Sequence, residues 1–298
     1  MDKEKKNRII RVAAASVAEN YRSSNIPMYG DALRMPSRDA VIEIIRDCQK
    51  LLFPVYYGNR DLLKLPPEQY SALLMEHIHE KLTRQIALTM AESEENYARA
   101  YEISNDFIER MPVIQKLLMK DLAANFDGDP AAYSMEEVIL SYPGLFAIFI
   151  YRIAHELYAR KVAMIPRMMT EYAHSQTGID INPGAKIGEY FFIDHGTGIV
   201  VGETTVIGDN VKMYQGATLG ALSPVGMPTN PDERRHPKIG NNVVIYANST
   251  LLGGATEVGD NVVIGGNAFL TSSVAPDTVV SVKTPEMNFR GKRHKEKE

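Results

Sequence analysis

Cysteine is nearly absent. Cys48 is the single one in 298 residues, which excludes an intramolecular disulfide framework and a cysteine-rich metal site and suits a reducing compartment. Positive charge is not in excess: the formal net charge is -4, so no basic surface invites nucleic acid. Long apolar runs are missing too. The longest, GLFAIFIY at 144–151, stops at Arg152, well short of the roughly 20 residues that span a bilayer. The opening MDKEKKNRIIRVAAASVAEN is broken by Arg11 and Glu19, which argues against a signal peptide. There is no HExxH motif and no histidine set with zinc spacing, so no metal is expected. What remains is a cytoplasmic globular protein without a membrane or nucleic-acid partner.

Two grammars divide the chain. Up to about residue 176 the apolar residues recur at helical steps. PSRDAVIEIIRDCQKLLF begins with a Pro/Ser/Asp start signal and carries Val41, Ile44, Ile45, Leu51 and Leu52 on one stripe. PPEQYSALLMEHIHEKLTRQIALTMAE does the same with Leu73, Leu74, His77, Ile78 and Leu82. Further patterns run through YARAYEISNDFIERMPVIQKLLMKDLAANF and YPGLFAIFIYRIAHELYARK. Beyond about 178, glycine, asparagine and β-branched residues take over. Aliphatic residues now recur every six positions: Ile181, Ile187, Ile193, Ile199, and later Leu252, Val258, Ile264, Leu270. A period of six marks a β-solenoid in which three hexads build one triangular coil of about 18 residues. The register slips by one residue between Ile245 and Leu252. The spacing predicts a helical domain over 1–176, a solenoid over 177–282 with a loop insertion at 221–238, and a charged tail at 283–298.

Few groups in this frame offer chemistry. His195 stands in FIDHGTGIVVGET, where a strand has little use for imidazole. Asp180 lies 15 residues earlier, about one strand from alignment with it. A carboxylate on one ring nitrogen would hold the tautomer and leave the other nitrogen as a base for a hydroxyl nucleophile. The alternative, His195 capping a corner and Asp180 in a turn, stays open on spacing alone. Arg235-His236, at the end of the proline-rich insertion, could clamp a carboxylate, or DERRHPK is a solvated charge run. Asp129 before Pro130 reads as a helix cap or turn former. Small residues in TLGALS and IGGNAF would let a long ligand lie on the backbone, or simply serve left-handed corners. His155, in YRIAHELY, reads as a packed histidine.

The segments DINPGAKIGEYFFIDHGTGIVVGET, GATLG and RRHPKIGNNVVIYANSTLLG resemble the bacterial serine O-acetyltransferases, over roughly residues 127–272. The resemblance implies an α+β fold, a helical N-terminal domain followed by a left-handed parallel β-helix of hexapeptide repeats. It implies transfer of acetyl from acetyl-CoA to the L-serine hydroxyl, giving O-acetylserine for cysteine biosynthesis, in sites between the solenoids of a homotrimer. Such trimers commonly pair into hexamers. By position, His195 matches the family's base and Asp180 its orienting carboxylate. Asp129 and Asp194 match the groups holding the serine amine, and Arg235 and His236 those around its carboxylate. Gly220, Ala221, Ala247 and Gly266 would line the CoA arm. L-cysteine, which resembles serine, is an expected feedback inhibitor. The tail NFRGKRHKEKE lacks the terminal isoleucine with which some relatives dock into O-acetylserine sulfhydrylase, so that complex is not expected.

Other functions fit parts of this pattern. A hexapeptide acyltransferase acting on a sugar would share the solenoid, although Arg235, His236 and Asp129 favour an amino-acid acceptor. A γ-type carbonic anhydrase needs three zinc histidines, and the solenoid region holds only His195 and His236. A scaffold that has lost catalysis would have no use for His195 and Asp180.

Overall fold

The structure is a computed structural model that describes residues 2–30, 34–222 and 233–283. Among the described residues eight α-helices come first: α1 Lys3–Ser23, α2 Arg38–Leu52, α3 Pro54–Tyr57, α4 Pro67–Ala87, α5 Glu94–Gly128, α6 Met135–Ser141, α7 Pro143–Ala159 and α8 Ile165–Thr177. Local chemistry sets their ends. The hydroxyls of Ser37 and Ser93 accept backbone N–H bonds at the starts of α2 and α5, which satisfies donors that no helical turn can reach. Proline opens α4 and α7, where its missing N–H costs nothing. Gly178 closes α8 in the left-handed conformation, and its N–H bonds the His174 carbonyl.

The apolar stripes do what their spacing predicts. Val41, Ile44, Ile45, Leu74, Ile78 and Leu82 are buried together with Phe107, Ile114 and Ile153 in the helical core. His77 is not on that stripe; it faces solvent. Helices α1, α6 and α8 lie outside the apolar patterns singled out in the sequence. α1 buries none of its residues. Among the described residues no single helix is long and apolar enough to cross a membrane.

From β1 the chain winds through three parallel sheets. Sheet A holds β1 (Asp180–Ile181), β4 (Val200–Val201), β7 (Thr218–Gly220), β10 (Thr250–Leu252) and β13 (Phe269–Leu270). Sheet B holds β2 (Lys186–Ile187), β5 (Val206–Ile207), β8 (Lys238–Ile239) and β11 (Glu257–Val258). Sheet C holds β3 (Phe192–Asp194), β6 (Lys212–Tyr214), β9 (Val244–Ile245), β12 (Val263–Ile264) and β14 (Val279–Val280). Each strand pairs only with strands of other coils, so about five coils stack. Ile181, Val201, Leu219 and Leu251 form one inward column, all nearly inaccessible.

The register corrects two details of the hexad reading. Ile181 pairs with Val201, not Ile199, because the first coil takes 20 residues. The inward residue of β10 is Leu251, so the one-residue slip falls between Leu251 and Val258. The departures from six are localised. From β3 to β4 the step is eight (Phe192 to Val200), through His195, Gly196, Thr197 and Gly198. From β7 to β8 it is 20 (Thr218 to Lys238), through the insertion. The strands on either side keep their pairing, Val206 with Lys238.

The helices and the solenoid share a core. Leu122, Val138, Leu145, Ala147, Ile148 and Tyr151 pack with the inward residues of the first coils. A buried ion pair staples this junction. Arg152 on α7 donates from Nε and Nη2 to the two carboxylate oxygens of Asp121 on α5, both at 3.0 Å. It also donates to the carbonyls of Ile187 (2.7 Å) and Gly188 (2.6 Å), and Asp121 accepts the Phe191 N–H at 3.0 Å. Gly144 is required at this contact, since a Cβ there would lie 2.5 Å from the Ile193 carbonyl oxygen. The start of α7 is thereby pressed against β3, the strand that leads to His195.

Candidate active site

The expected site residues collect at two edges flanking sheet A. At the edge between sheets C and A, β3 delivers Asp194 and then turns at His195. His195 takes a left-handed backbone, φ +56°, followed by Gly196 (+86°) and Gly198 (+81°). Histidine adopts that conformation at a cost of about 1–2 kcal/mol, so the imidazole is held out from the coil by a strained corner. Its side chain is 72% exposed. Nδ1 lies 3.7 Å from Asp194 Oδ1, close enough for charge attraction and too long for a hydrogen bond.

Asp129 reaches the same edge from the end of α5. Its Oδ1 accepts the Ala131 N–H at 2.8 Å and its Oδ2 accepts the Tyr142 hydroxyl at 2.6 Å. These two bonds, with a smaller pull from His195, hold its carboxyl below the usual range against the opposing effect of burial. The Tyr142 phenol is correspondingly pushed up to about 12, mainly by Asp129. Asp194 raises it further, though less. Asp129, Asp194, His195 and Tyr142 therefore form one cluster within a single chain. The turn reading of Asp129 holds as well, because its Oδ1 closes the turn to Ala131.

Asp180 is near this cluster and turned from it. The expected hydrogen bond from Asp180 to His195 is not made: Asp180 Oδ1 lies 3.6 Å from Arg167 Nη1. Asp180 shares that environment with Glu171 and His174, whose ligand-type atoms all fall within 4.8 Å of one another. An 18-residue coil leaves residues 15 apart about one strand from alignment. With a 20-residue first coil, Asp180 and His195 instead sit near the two ends of the same one. The corner still rests on the Asp180 segment, since Gly198 N–H bonds the Gly178 carbonyl and Asp180 N–H bonds the Ile199 carbonyl.

Arg235 and His236 occupy the other edge, between sheets A and B. Arg235 Nη2 donates to Glu203 Oε2 at 2.6 Å. His236 is 8% exposed and lies on Gly202, where a Cβ would fall 2.0 Å from its ring. The Thr204 N–H donates to His236 Nδ1 at 3.1 Å, which leaves the proton on Nε2. Burial, helped by Arg235, lowers the His236 pKa, so the ring is neutral near pH 7. The DERRHPK string is thus not a solvated run: in its described part, both Arg235 and His236 are engaged. Residues 223–232 of the insertion lie outside the described residues, as does the tail from 284.

The small residues divide between the same two edges. Gly220 accepts the Gly253 N–H at 3.0 Å on the Arg235 side, with Ala221 next to it. On the His195 side Ala247 and Gly266 stack on successive coils, the Ala247 carbonyl 3.2 Å from where a Gly266 Cβ would stand. His155 is half-buried and its Nδ1–H donates to the Pro183 carbonyl at 2.8 Å, a packing role. A cavity of about 620 Å³ lies in the helical part, between Ala87, Ser93, Tyr97 and Tyr101; none of the expected site residues lines it.

The N-terminal domain model of serine acetyltransferases matches residues 69–149, and the bacterial transferase hexapeptide model of six repeats matches 236–272. A serine acetyltransferase from Synechococcus elongatus is 40% identical over 261 residues, which covers 83% of this chain and 82% of that one. The chain belongs to the serine acetyltransferase family. Among solved structures, serine acetyltransferase isoform 3 of Entamoeba histolytica in complex with cysteine superposes with a TM-score of 0.73 at 32% identity, over 96% of both chains. A serine acetyltransferase in complex with CoA superposes at 0.52 and 26% identity, over 80% of this chain and 96% of that one. The fold shared with these serine acetyltransferases is a helical region followed by a left-handed parallel β-helix. Sequence reasoning passed over Tyr142, Glu203 and Thr204. Tyr142 carried a usable signal in its place just before the Pro143 helix start. Glu203 and Thr204 become conspicuous only when the coil register sets them one turn below Arg235 and His236.

Proposed function

We propose that the chain transfers acetyl from acetyl-CoA to the hydroxyl of L-serine, with His195 as the general base. One observation carries this reading: two separate segments, the end of α5 with Asp129 and the end of β3 with Asp194 and His195, meet at one edge of the coil. Two carboxylates beside an exposed imidazole suit a substrate with an ammonium group next to a hydroxyl. His195 takes the serine hydroxyl proton as the oxygen attacks the thioester carbonyl. The tetrahedral intermediate expels the CoA thiolate, and the imidazolium returns the proton to that sulfur. The products are O-acetylserine and free CoA, with no covalent enzyme intermediate and no need for a metal.

Asp129 and Asp194 hold the serine ammonium. Asp194 and Asp180 are the two carboxylates able to orient the ring, Asp194 by its 3.7 Å approach and Asp180 by its place beneath the corner. Asp180 is the match by family resemblance, and it would have to leave Arg167 to serve. Arg235 and the Nε2–H of His236 bind the serine carboxylate. Gly220, Ala221, Ala247 and Gly266 line the path of CoA.

The two edges lie on opposite sides of sheet A, so one chain does not close the site. A homotrimer, in which the Arg235 edge of one copy faces the His195 edge of the next, would close it; two such trimers would make the hexamer. L-cysteine would compete in the serine position. A reducing, cytoplasmic setting fits the buried free Cys48. We place the domain division at about 176–177, a reading supported by the end of α8 at Thr177 and the start of β1 at Asp180; the apolar core runs across it.

Release of free CoA thiol from acetyl-CoA, measured with L-serine, with sugar acceptors and with added L-cysteine, tests the proposal. Serine-dependent release is expected. Release only with a sugar such as a galactoside or glucosamine would transfer the assignment to another acyltransferase.

A further inference from the structure

The pairing of Val206 with Lys238 sets an offset of 32 residues between coils at the sheet A–B edge. The same offset places Glu203 directly below Arg235 and Thr204 directly below His236. Each lower residue holds its upper counterpart. Glu203 accepts from Arg235 through Oε2 at 2.6 Å, and its other oxygen accepts the Tyr158 hydroxyl at 2.8 Å. Tyr158 belongs to α7, so the carboxylate is fixed from the helical side as well. Its phenol is pushed up to about 12 by burial and then by Glu203, and stays protonated as the donor.

Thr204 is fully committed. Its hydroxyl oxygen accepts the backbone N–H groups of Arg235 (2.8 Å) and His236 (3.1 Å), and its O–H, sharing the one Nδ1 lone pair with the Thr204 N–H, donates to His236 Nδ1 at 2.8 Å. That uses every hydrogen-bonding capacity a hydroxyl has. The insertion therefore returns to the coil on a prepared seat, however long its outer part is.

We propose that Glu203 and Thr204 are positioning residues for the acceptor carboxylate, acting through Arg235 and His236 respectively. Glu203 restrains a guanidinium that would otherwise sweep many rotamers. Tyr158 restrains Glu203 in turn. Thr204 keeps Nδ1 of His236 an acceptor, so that Nε2 always presents a proton. The roles rest on the assignment of Arg235 and His236 to the serine carboxylate, and serine affinity is the property they control.

Glu203→Gln keeps the shape and removes the charge. In the thiol-release assay it is expected to raise the serine KM about tenfold, equivalent to ~1.4 kcal/mol, and to leave the acetyl-CoA KM within twofold. Tyr158→Phe is expected to give a smaller rise of the same kind. Thr204→Val is expected to raise the serine KM, with rescue by Thr204→Ser. On an Arg235→Ala background, Glu203→Gln is expected to add less than twofold, because coupled groups are not additive. A serine KM within twofold of the parent in Glu203→Gln, additive effects with Arg235→Ala, or an equal loss toward both substrates overturns the proposal. His195→Asn, in the same assay, reports on the base alone, so failure of the catalytic reading is seen separately.

Discussion

Replacing Arg152 with methionine is expected to destabilise the fold severely, and the structure gives the size. The guanidinium is 6% exposed and Asp121 fully buried. Arg152→Met leaves a buried carboxylate without its partner, and Asp121 would take up a proton rather than remain charged. It also strips the Ile187 and Gly188 carbonyls of their donors. Breaking a buried pair from one side costs about 3–5 kcal/mol. The double variant Asp121→Leu/Arg152→Met removes both charges and needs a different sum. It shares with the single variant the loss of the donors to Ile187 and Gly188, and it adds an orphaned Phe191 N–H, which Asp121 accepts, at about 1–3 kcal/mol for a buried donor. The double variant should therefore be more stable than the single one. Urea denaturation followed by far-UV circular dichroism, at fixed protomer concentration, measures both. A midpoint shift for Arg152→Met worth less than about 1 kcal/mol, or a double variant as damaged as the single, would refute the account of the junction.

Four other outcomes are expected. His195→Asn, chosen because asparagine tolerates a left-handed corner, should cut turnover by several orders of magnitude while acetyl-CoA still protects against heat; near-normal turnover rejects the base. In the same series, whichever of Asp180→Asn and Asp194→Asn lowers kcat at saturating serine identifies the orienting carboxylate. Tyr142→Phe removes the leading cause of the lowered Asp129 pKa. Asp129 does its work ionised, above that pKa, and loses it as pH falls through it. The Asp129 carboxyl, followed directly by NMR titration, should accordingly protonate at higher pH in the variant, and an unmoved titration would dismiss Tyr142. Cys48 is completely buried, and burial pushes its thiol well up. A disulfide reagent should find no fast-reacting thiol in the native protein, and prompt labelling of Cys48 would contradict its placement.

The helical and solenoid halves were legible because both print a period on the chain. Leu74, Ile78 and Leu82 face one core at helical steps, and Ile181, Ile187 and Ile193 point inward once per hexad. The period failed where the coil itself deviates. The coil gains two residues within the corner at 195–198, whose histidine, threonine and two glycines carry no apolar mark, so a strict count of six sets the second coil two residues early and misplaces Asp180 relative to His195. Arg152 and Asp121 looked like ordinary polar letters in helical text, since a single residue does not reveal which face it is on when its partner lies 31 positions away. The cluster of Asp129 with His195 was visible only through family likeness, because nothing in FDGDPAAYS specifies that α5 ends beside β3.

The unshifted pairing of β5 with β8, Val206 with Lys238 and Ile207 with Ile239, has a consequence for how such a protein diversifies. Strands that close over an excursion without shifting treat it as if it were not there. Length and composition outside the coil are then decoupled from the folding of the stack, and inheritance can rewrite the rim of a binding cleft while the girders beneath stay where they were.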